Sequence, residues 1–298
     1  MKRSVTTLSD EVKKNIIRTL ITNNNYRDEV VALLDARFIA AVKDFLMKIL
    51  HAKQHYNGSD WYEKTMLDPK LPREDISWNS GLNLKTISNI YQSATKKIVI
   101  DASRDHYHAL KNVIESVSNS KDLKIEFNII SDKTDVSLTP QEALIVINAL
   151  SVRRAGMRGG LWSTVGKKVE KPLIKTLCKL LKVPTKHYDQ SSAPTTLRET
   201  DFHLFKDTKN FKCEVKLMGR GNPEGADTTH WRDTKIFVGD KLSDINKLQL
   251  TKEGIHWVAM YDGNVLEQFA SILEKLGIPY TKFSGNLEVE VDKVLKDL

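Results

Sequence analysis

Asp201, Glu214 and Lys216 are two carboxylates and one ammonium spaced so that a single surface can present all three. They lie in DFHLFKDTKNFKCEVKLM, residues 201–218, which predicts two short strands joined by a polar turn at Lys206 to Asn210. Phe202 and Leu204 alternate with Asp201 and His203, while Phe211, Cys213, Val215 and Leu217 alternate with Lys212, Glu214, Lys216 and Met218. Successive strand side chains point to opposite faces, so the apolar set turns to a core and Asp201, Glu214 and Lys216 gather on the other side. Two carboxylates suit a hard divalent cation such as Mg²⁺, which keeps several waters and takes further ligands from phosphate. A lysine beside them can orient a water or stabilise the charge that develops as it attacks phosphorus. The blander reading of the same residues is a solvated hairpin face with a surface ion pair.

Charge points to the partner of such chemistry. The chain carries a net charge of +8, and residues 152–186 alone hold ten bases against the single acid Glu170, a local net of +9. Arg153, Arg154, Arg158, Lys167 and Lys168 open this segment. A concentrated basic stretch is the footprint expected of a phosphate-backbone partner, and a solvated helix face is the alternative. Leu161, Val165, Val169, Leu173 and Leu177 form an apolar helical stripe, with Lys167, Lys171 and Lys175 mainly on the far side. RRAGMRGG before it reads as a glycine-broken basic loop, and Pro172 predicts a kink or a new start. Glu170, at the edge of the stripe among ten bases, wants a partner. After the hairpin, GRGNPEGADTTHWRD is too rich in Gly, Asn, Pro and Asp to be regular. There Arg220, Asn222, His230 and Arg232, with Lys235 beyond, can donate to bases or phosphates, and Glu224 and Asp227 can accept from cytosine amines.

An aspartate, twelve residues, then Glu-x-Lys on a hairpin resembles the catalytic signature of the PD-(D/E)XK nuclease superfamily, to which most type II restriction endonucleases belong. Thr200 stands where the family name records a proline, a loosely kept position. Many restriction enzymes place a G-x-x-x-E helix before the hairpin, and Glu170 in VGKKVEKPL resembles that glutamate; a salt bridge to Lys167 or Lys171 is its structural alternative. EVKLMGRGNPEGAD also resembles the catalytic segment of the CfrBI group of type II restriction endonucleases. The resemblance implies Mg²⁺, with Mn²⁺ able to substitute, held by Asp201 and Glu214 with help from Glu170 and the Val215 carbonyl. It implies that Lys216 positions the attacking water and that site-specific cleavage leaves a 5′-phosphate and a 3′-hydroxyl. A two-fold homodimer on a palindromic site and a cognate DNA methyltransferase as functional partner follow from the same likeness. A structure-selective or repair nuclease of the superfamily is the nearest alternative, and a non-catalytic DNA-binding protein the next.

The positioning elements are read from periodicity. The fold class expected is α/β (α+β): a mixed sheet flanked by helices over 151–298, behind a largely helical region over 1–150. Residues 9–52 read as two helices broken at NNNYRD, and His51 to Gly81 as an irregular stretch in which Trp61, Tyr62 and Trp78 stack on bases or anchor the loop. KIVID (97–101) and LKIEFNII (123–130) read as strands around a helix at 105–117. Thr139-Pro140-Gln141-Glu142 has the form of a capping box opening a helix. Strands at 235–238 and 256–260 alternate with helices at 243–250 and 265–276, the last closed by Gly277. Cys178 and Cys213 read as buried free thiols, too few for a disulfide framework or zinc cluster. His51/His55 and His106/His108 lack a third ligand and read as ordinary surface or core histidines. No stretch approaches the roughly 18 apolar residues a membrane span needs, and MKRSVTTLSDEVKK offers no apolar leader core, so the expected location is cytoplasmic.

Overall fold

The computed structural model describes residues 8–56, 58–118, 127–131, 134–189, 202–217 and 233–297. Leu34–Gly160 form one compact unit; Thr7–Leu33 and Leu161–Leu298 form the other. The division falls within two helices, α2 (Arg27–His55) and α7 (Pro140–Leu180).

The unit Leu34–Gly160 is mainly helical. Besides its share of α2 and α7 it contains α3 (Trp61–Met66), α4 (Arg73–Asn79), α5 (Leu84–Tyr91), α6 (Lys96–Ser118) and an antiparallel hairpin of β1 (Phe127–Ser131) and β2 (Thr134–Leu138). KIVID is not a strand: it is the first turn and a half of α6. Val99, Ser103, Tyr107 and Ile114 are buried at spacings of one, one and two helical turns, so packing along a helix overrides the β-propensity of two isoleucines and a valine. The polar stretch after His51 is also more regular than its composition suggests, because it carries α3 and α4. Trp61 and Tyr62 are each 2 % exposed, so they anchor this region and are closed to base stacking. Trp61 Nε1 donates to Glu142 Oε1 at 2.6 Å, and Tyr62 OH donates to the Asn79 carbonyl at 2.8 Å. Glu142 is the acid of the expected capping box: Thr139 N–H donates to Glu142 Oε2 at 2.8 Å and Glu142 N–H to Thr139 Oγ1 at 3.2 Å. Lys53 pairs with the same carboxylate.

The second unit is built on a four-stranded mixed sheet of β3 (Phe202–Lys206), β4 (Lys209–Lys216), β5 (Thr234–Gly239) and β6 (His256–Ala259), in that order. β3 and β4 are antiparallel, and β4–β5 and β5–β6 are parallel. Ile236, Phe237 and Val238 are consecutive and fully buried, which requires cover on both faces of β5. Helices α8 (Asp244–Lys252) and α9 (Val265–Lys275) pack against β6, and the Gln268 amide ties α9 to both polar atoms of the Ala259 backbone. Gly277, at φ 67°, ends α9 as its sequence predicts. α1 (Asp10–Ile21) packs against α10 (Leu287–Lys296), where Arg18 Nε donates to Asp292 at 2.8 Å.

α7 departs from expectation at RRAGMRGG, which is helical rather than a loop; of the two alternatives for Pro172, the structure excludes a new start, because the proline lies inside the helix. An interior proline costs about 3 kcal/mol and an exposed glycine about 1 kcal/mol against alanine. The stripe Leu161, Val165, Val169, Leu173 and Leu177 is at most 2 % exposed, and each such side chain returns roughly 1.5–3 kcal/mol on burial, so packing wins over local preference.

Candidate active site

β4 carries the centre of the site. Glu214 and Lys216 are two residues apart on one strand and therefore share a face, and Lys216 Nζ stands 3.3 Å from Glu214 Oε1. Glu214 is 6 % exposed, and its Oε2 accepts from Thr234 Oγ1 at 3.0 Å. Cys213 and Val215 turn to the opposite, buried side. Burial drives the Cys178 and Cys213 thiols well above the ordinary cysteine range, so both stay protonated, as expected of inert core thiols.

Thr234 owes its place to an irregularity in the sheet. Lys212 pairs with Thr234 and Cys213 with Ile236, so β5 carries one more residue than β4 at this point, Lys235. Such bulges re-aim side chains beside functional sites. The extra residue leaves Lys235 exposed while Thr234, 3 % exposed, donates to the buried carboxylate. No periodicity in the sequence marks Thr234. The hairpin partner strand adds His203, 2 % exposed, which sits opposite Lys212 on the carboxylate face and donates through Nδ1 to Asn210 Oδ1 at 2.7 Å.

Glu170 is half-buried on α7, and Gly166, one turn earlier, has a structural reason to be glycine. A Cβ at Gly166 would meet Glu170 Oε1 at 3.1 Å, closer than ordinary van der Waals contact. Helical side chains lean toward the N-terminus, so the G-x-x-x-E spacing lets the carboxylate lie back over the vacant position. Asp201 lies outside the described residues. Among those described, no group of three or more His, Cys, Asp or Glu is placed to hold a metal ion. Glu214 fits a hard cation in its chemistry: it is a buried oxygen donor held in orientation by Thr234, and its other oxygen faces an ammonium that an incoming cation can displace.

The basic residues separate into two groups. Arg153 packs over Trp78 at 5.0 Å with Asp75 at 3.9 Å, and Arg154 lies over Phe38 at 5.3 Å and reaches Asp35 at 2.9 Å. These two are engaged within the Leu34–Gly160 unit. Gly156 leaves room there, since a Cβ would stand 3.3 Å from Trp78 Nε1. Arg158, Lys167 and Lys168 are exposed. Lys168 joins Lys13 and Lys14 in holding the Asp10 carboxyl below its usual range, with Lys13 the largest cause, so the first turn of α1 and this face of α7 share one electrostatic environment. Arg220, Asn222, Glu224, His230 and Arg232 lie outside the described residues. Of the histidine pairs, His55 Nδ1 donates to the His51 carbonyl at 2.7 Å, and His108 stands 3.5 Å from Glu63.

Comparison with known protein families adds a decisive match: the model of the CfrBI restriction endonuclease family covers residues 10–247. The chain belongs to the CfrBI restriction endonuclease family. Membership places this endonuclease among the hydrolases that act on DNA, and the mixed sheet with its flanking helices accords with a restriction-endonuclease-like fold. The matched span includes α1, the whole Leu34–Gly160 unit, α7 and the first three strands of the sheet. No curated protein and no solved structure matches the chain. Among the described residues no helix is long and apolar enough to cross a membrane.

Proposed function

We propose that this endonuclease is a type II enzyme that cuts double-stranded DNA at a specific sequence with Mg²⁺, for which Mn²⁺ can substitute. The observation that carries the reading is the buried Glu214 carboxylate, oriented by Thr234 on one oxygen and 3.3 Å from Lys216 on the other. Asp201 and Glu214 would hold the metal, with Glu170 and the Val215 carbonyl as further oxygen donors. Bound there, the cation would polarise the scissile phosphate and neutralise its developing charge. Lys216 orients a water for in-line attack, and its ammonium stabilises the negative charge as the new oxygen–phosphorus bond forms. The bond to the 3′ oxygen breaks, leaving a 3′-hydroxyl and a 5′-phosphate. Arg158, Lys167 and Lys168, with the exposed Arg154 once released from Asp35, would follow the phosphate backbone, and the 219–235 segment would contribute to base reading. A homodimer would match the symmetry of a palindromic site, and a DNA methyltransferase of the same specificity would protect the host genome.

Digestion of unmethylated phage DNA with the purified protein, beside EDTA and Glu214→Ala controls, tests this. Discrete metal-dependent fragments whose sequenced ends share one short motif support it. Metal-dependent smearing would favour a structure-selective or nonspecific nuclease. Retarded but intact DNA would leave only a DNA-binding protein.

A further inference from the structure

Among the described residues two acids are buried, Glu214 and Asp240, and they stand at the same end of adjacent strands. Lys216 pairs with Gly239, and Asp240 comes next. Asp240 N–H donates to the Lys216 carbonyl at 3.4 Å, and the Asp240 carbonyl accepts from Tyr261 N–H at 3.0 Å. The Asp240 carboxylate is held from several directions: Oδ1 accepts from Lys241 N–H at 2.9 Å, and Oδ2 accepts from Tyr26 OH at 2.9 Å and from Arg27 Nη2 at 3.1 Å.

Tyr26 and Arg27 reach this strand end from the far side of the sequence, 214 and 213 residues away. Their own positions are fixed by aromatic packing. Tyr26 is fully buried, edge-on to Trp162 at 6.1 Å and stacked on Tyr261 at 6.4 Å, while the Arg27 guanidinium lies 5.6 Å from the Tyr261 ring centre. Taking an acid and an arginine out of water is unfavourable before they pair, and apolar side chains of similar volume would secure a strand end without that penalty. What directed bonds add is a single geometry, because each bond fixes a distance and an angle where apolar contacts tolerate sliding. The geometry so fixed belongs to the residue bonded to Lys216.

We infer that Tyr26, Arg27 and Asp240 form a positioning clamp that holds the end of β5 against Lys216 and thereby sets where the Lys216 ammonium stands relative to Glu214 and the scissile phosphate. The inference rests on the nuclease reading of Glu214 and Lys216. It gives the start of α2, Arg27 and the turn residue Tyr26 before it, a positioning role without any contact with DNA or metal.

Tyr26→Phe keeps the ring and removes one donor; Arg27→Met removes the charge at similar length, and Arg27→Lys restores it. In single-turnover cleavage, Tyr26→Phe and Arg27→Met should each slow the cutting step about tenfold or more, the size that goes with losing a hydrogen bond to a carboxylate. Arg27→Lys should recover most of that loss. DNA affinity measured in EDTA, and KM, should stay at the wild-type value in all three variants, a split that general destabilisation would not produce. Deuterium exchange should quicken in peptides covering 209–216 and 234–241. Unchanged exchange would overturn the clamp. Faster exchange with cutting within twofold of wild type in both Tyr26→Phe and Arg27→Met would overturn its positioning role. Wild-type protein that cuts no DNA would overturn the nuclease reading and the positioning role with it, while the exchange data would still report on the clamp.

Discussion

Glu214 and Asp240, the two buried acids among the described residues, stand at the same end of adjacent strands and are held in opposite ways. Asp240 is gripped by a backbone N–H, a buried tyrosine and an arginine stacked on an aromatic ring, groups with little freedom to leave. Glu214 is met by a threonine hydroxyl and by a lysine on a flexible stem whose side chain is 33 % exposed. The first arrangement is finished on folding; the second is poised to exchange a partner. The same contrast separates Arg153, seated over Trp78 beside Asp75 and largely out of water, from the exposed Arg158, Lys167 and Lys168. Groups committed to the fold should fail in stability when changed, and groups still able to exchange should fail in activity or binding.

Asp240→Ala puts most at stake, because it strands a half-buried arginine and a fully buried tyrosine. It should lower unfolding free energy by about 3–5 kcal/mol in urea titrations, and a loss under about 1 kcal/mol would erase the distinction between the two acids. Lys216→Ala should leave the melting temperature near wild type and slow cutting about 10²–10³-fold, read from single-turnover rates. Arg153→Met should lower the melting temperature more than Lys167→Ala or Lys168→Ala does. Each lysine variant should instead reduce the slope of log affinity against log salt by about 1. Equal effects on both readouts would merge the two groups of bases. Thr234→Val, close in volume, removes the hydroxyl from Glu214 and should cost about 1 kcal/mol of stability while slowing cutting severalfold. The smallest and most pointed test is Gly166→Ala: helix propensity should raise stability by about 0.5–1 kcal/mol, while the displaced Glu170 carboxylate slows cutting. Faster or unchanged cutting would remove Glu170 from the site.

Much of the sheet unit was legible in the chain. The hairpin, β5, α8, β6 and α9 follow from alternation, helical spacing and turn residues, and Glu214 and Lys216 share a face because their spacing on a strand allows nothing else. The capping box at Thr139 and Glu142 formed because its bonds close within four residues. The misreadings share one cause. KIVID favours a strand and RRAGMRGG a loop only while neighbours are ignored; in the structure both lie in helices whose buried faces outweigh those preferences.

Residue type and spacing thus determined the chemistry available on β4, since periodicity is a local property that the chain carries with it. Tertiary structure alone decided which groups that chemistry would meet. Thr234 reaches Glu214 through a one-residue irregularity in parallel pairing, and Tyr26 and Arg27 reach Asp240 across more than two hundred residues. Contacts of that kind depend on how distant segments pack, and no local pattern in either segment encodes the other.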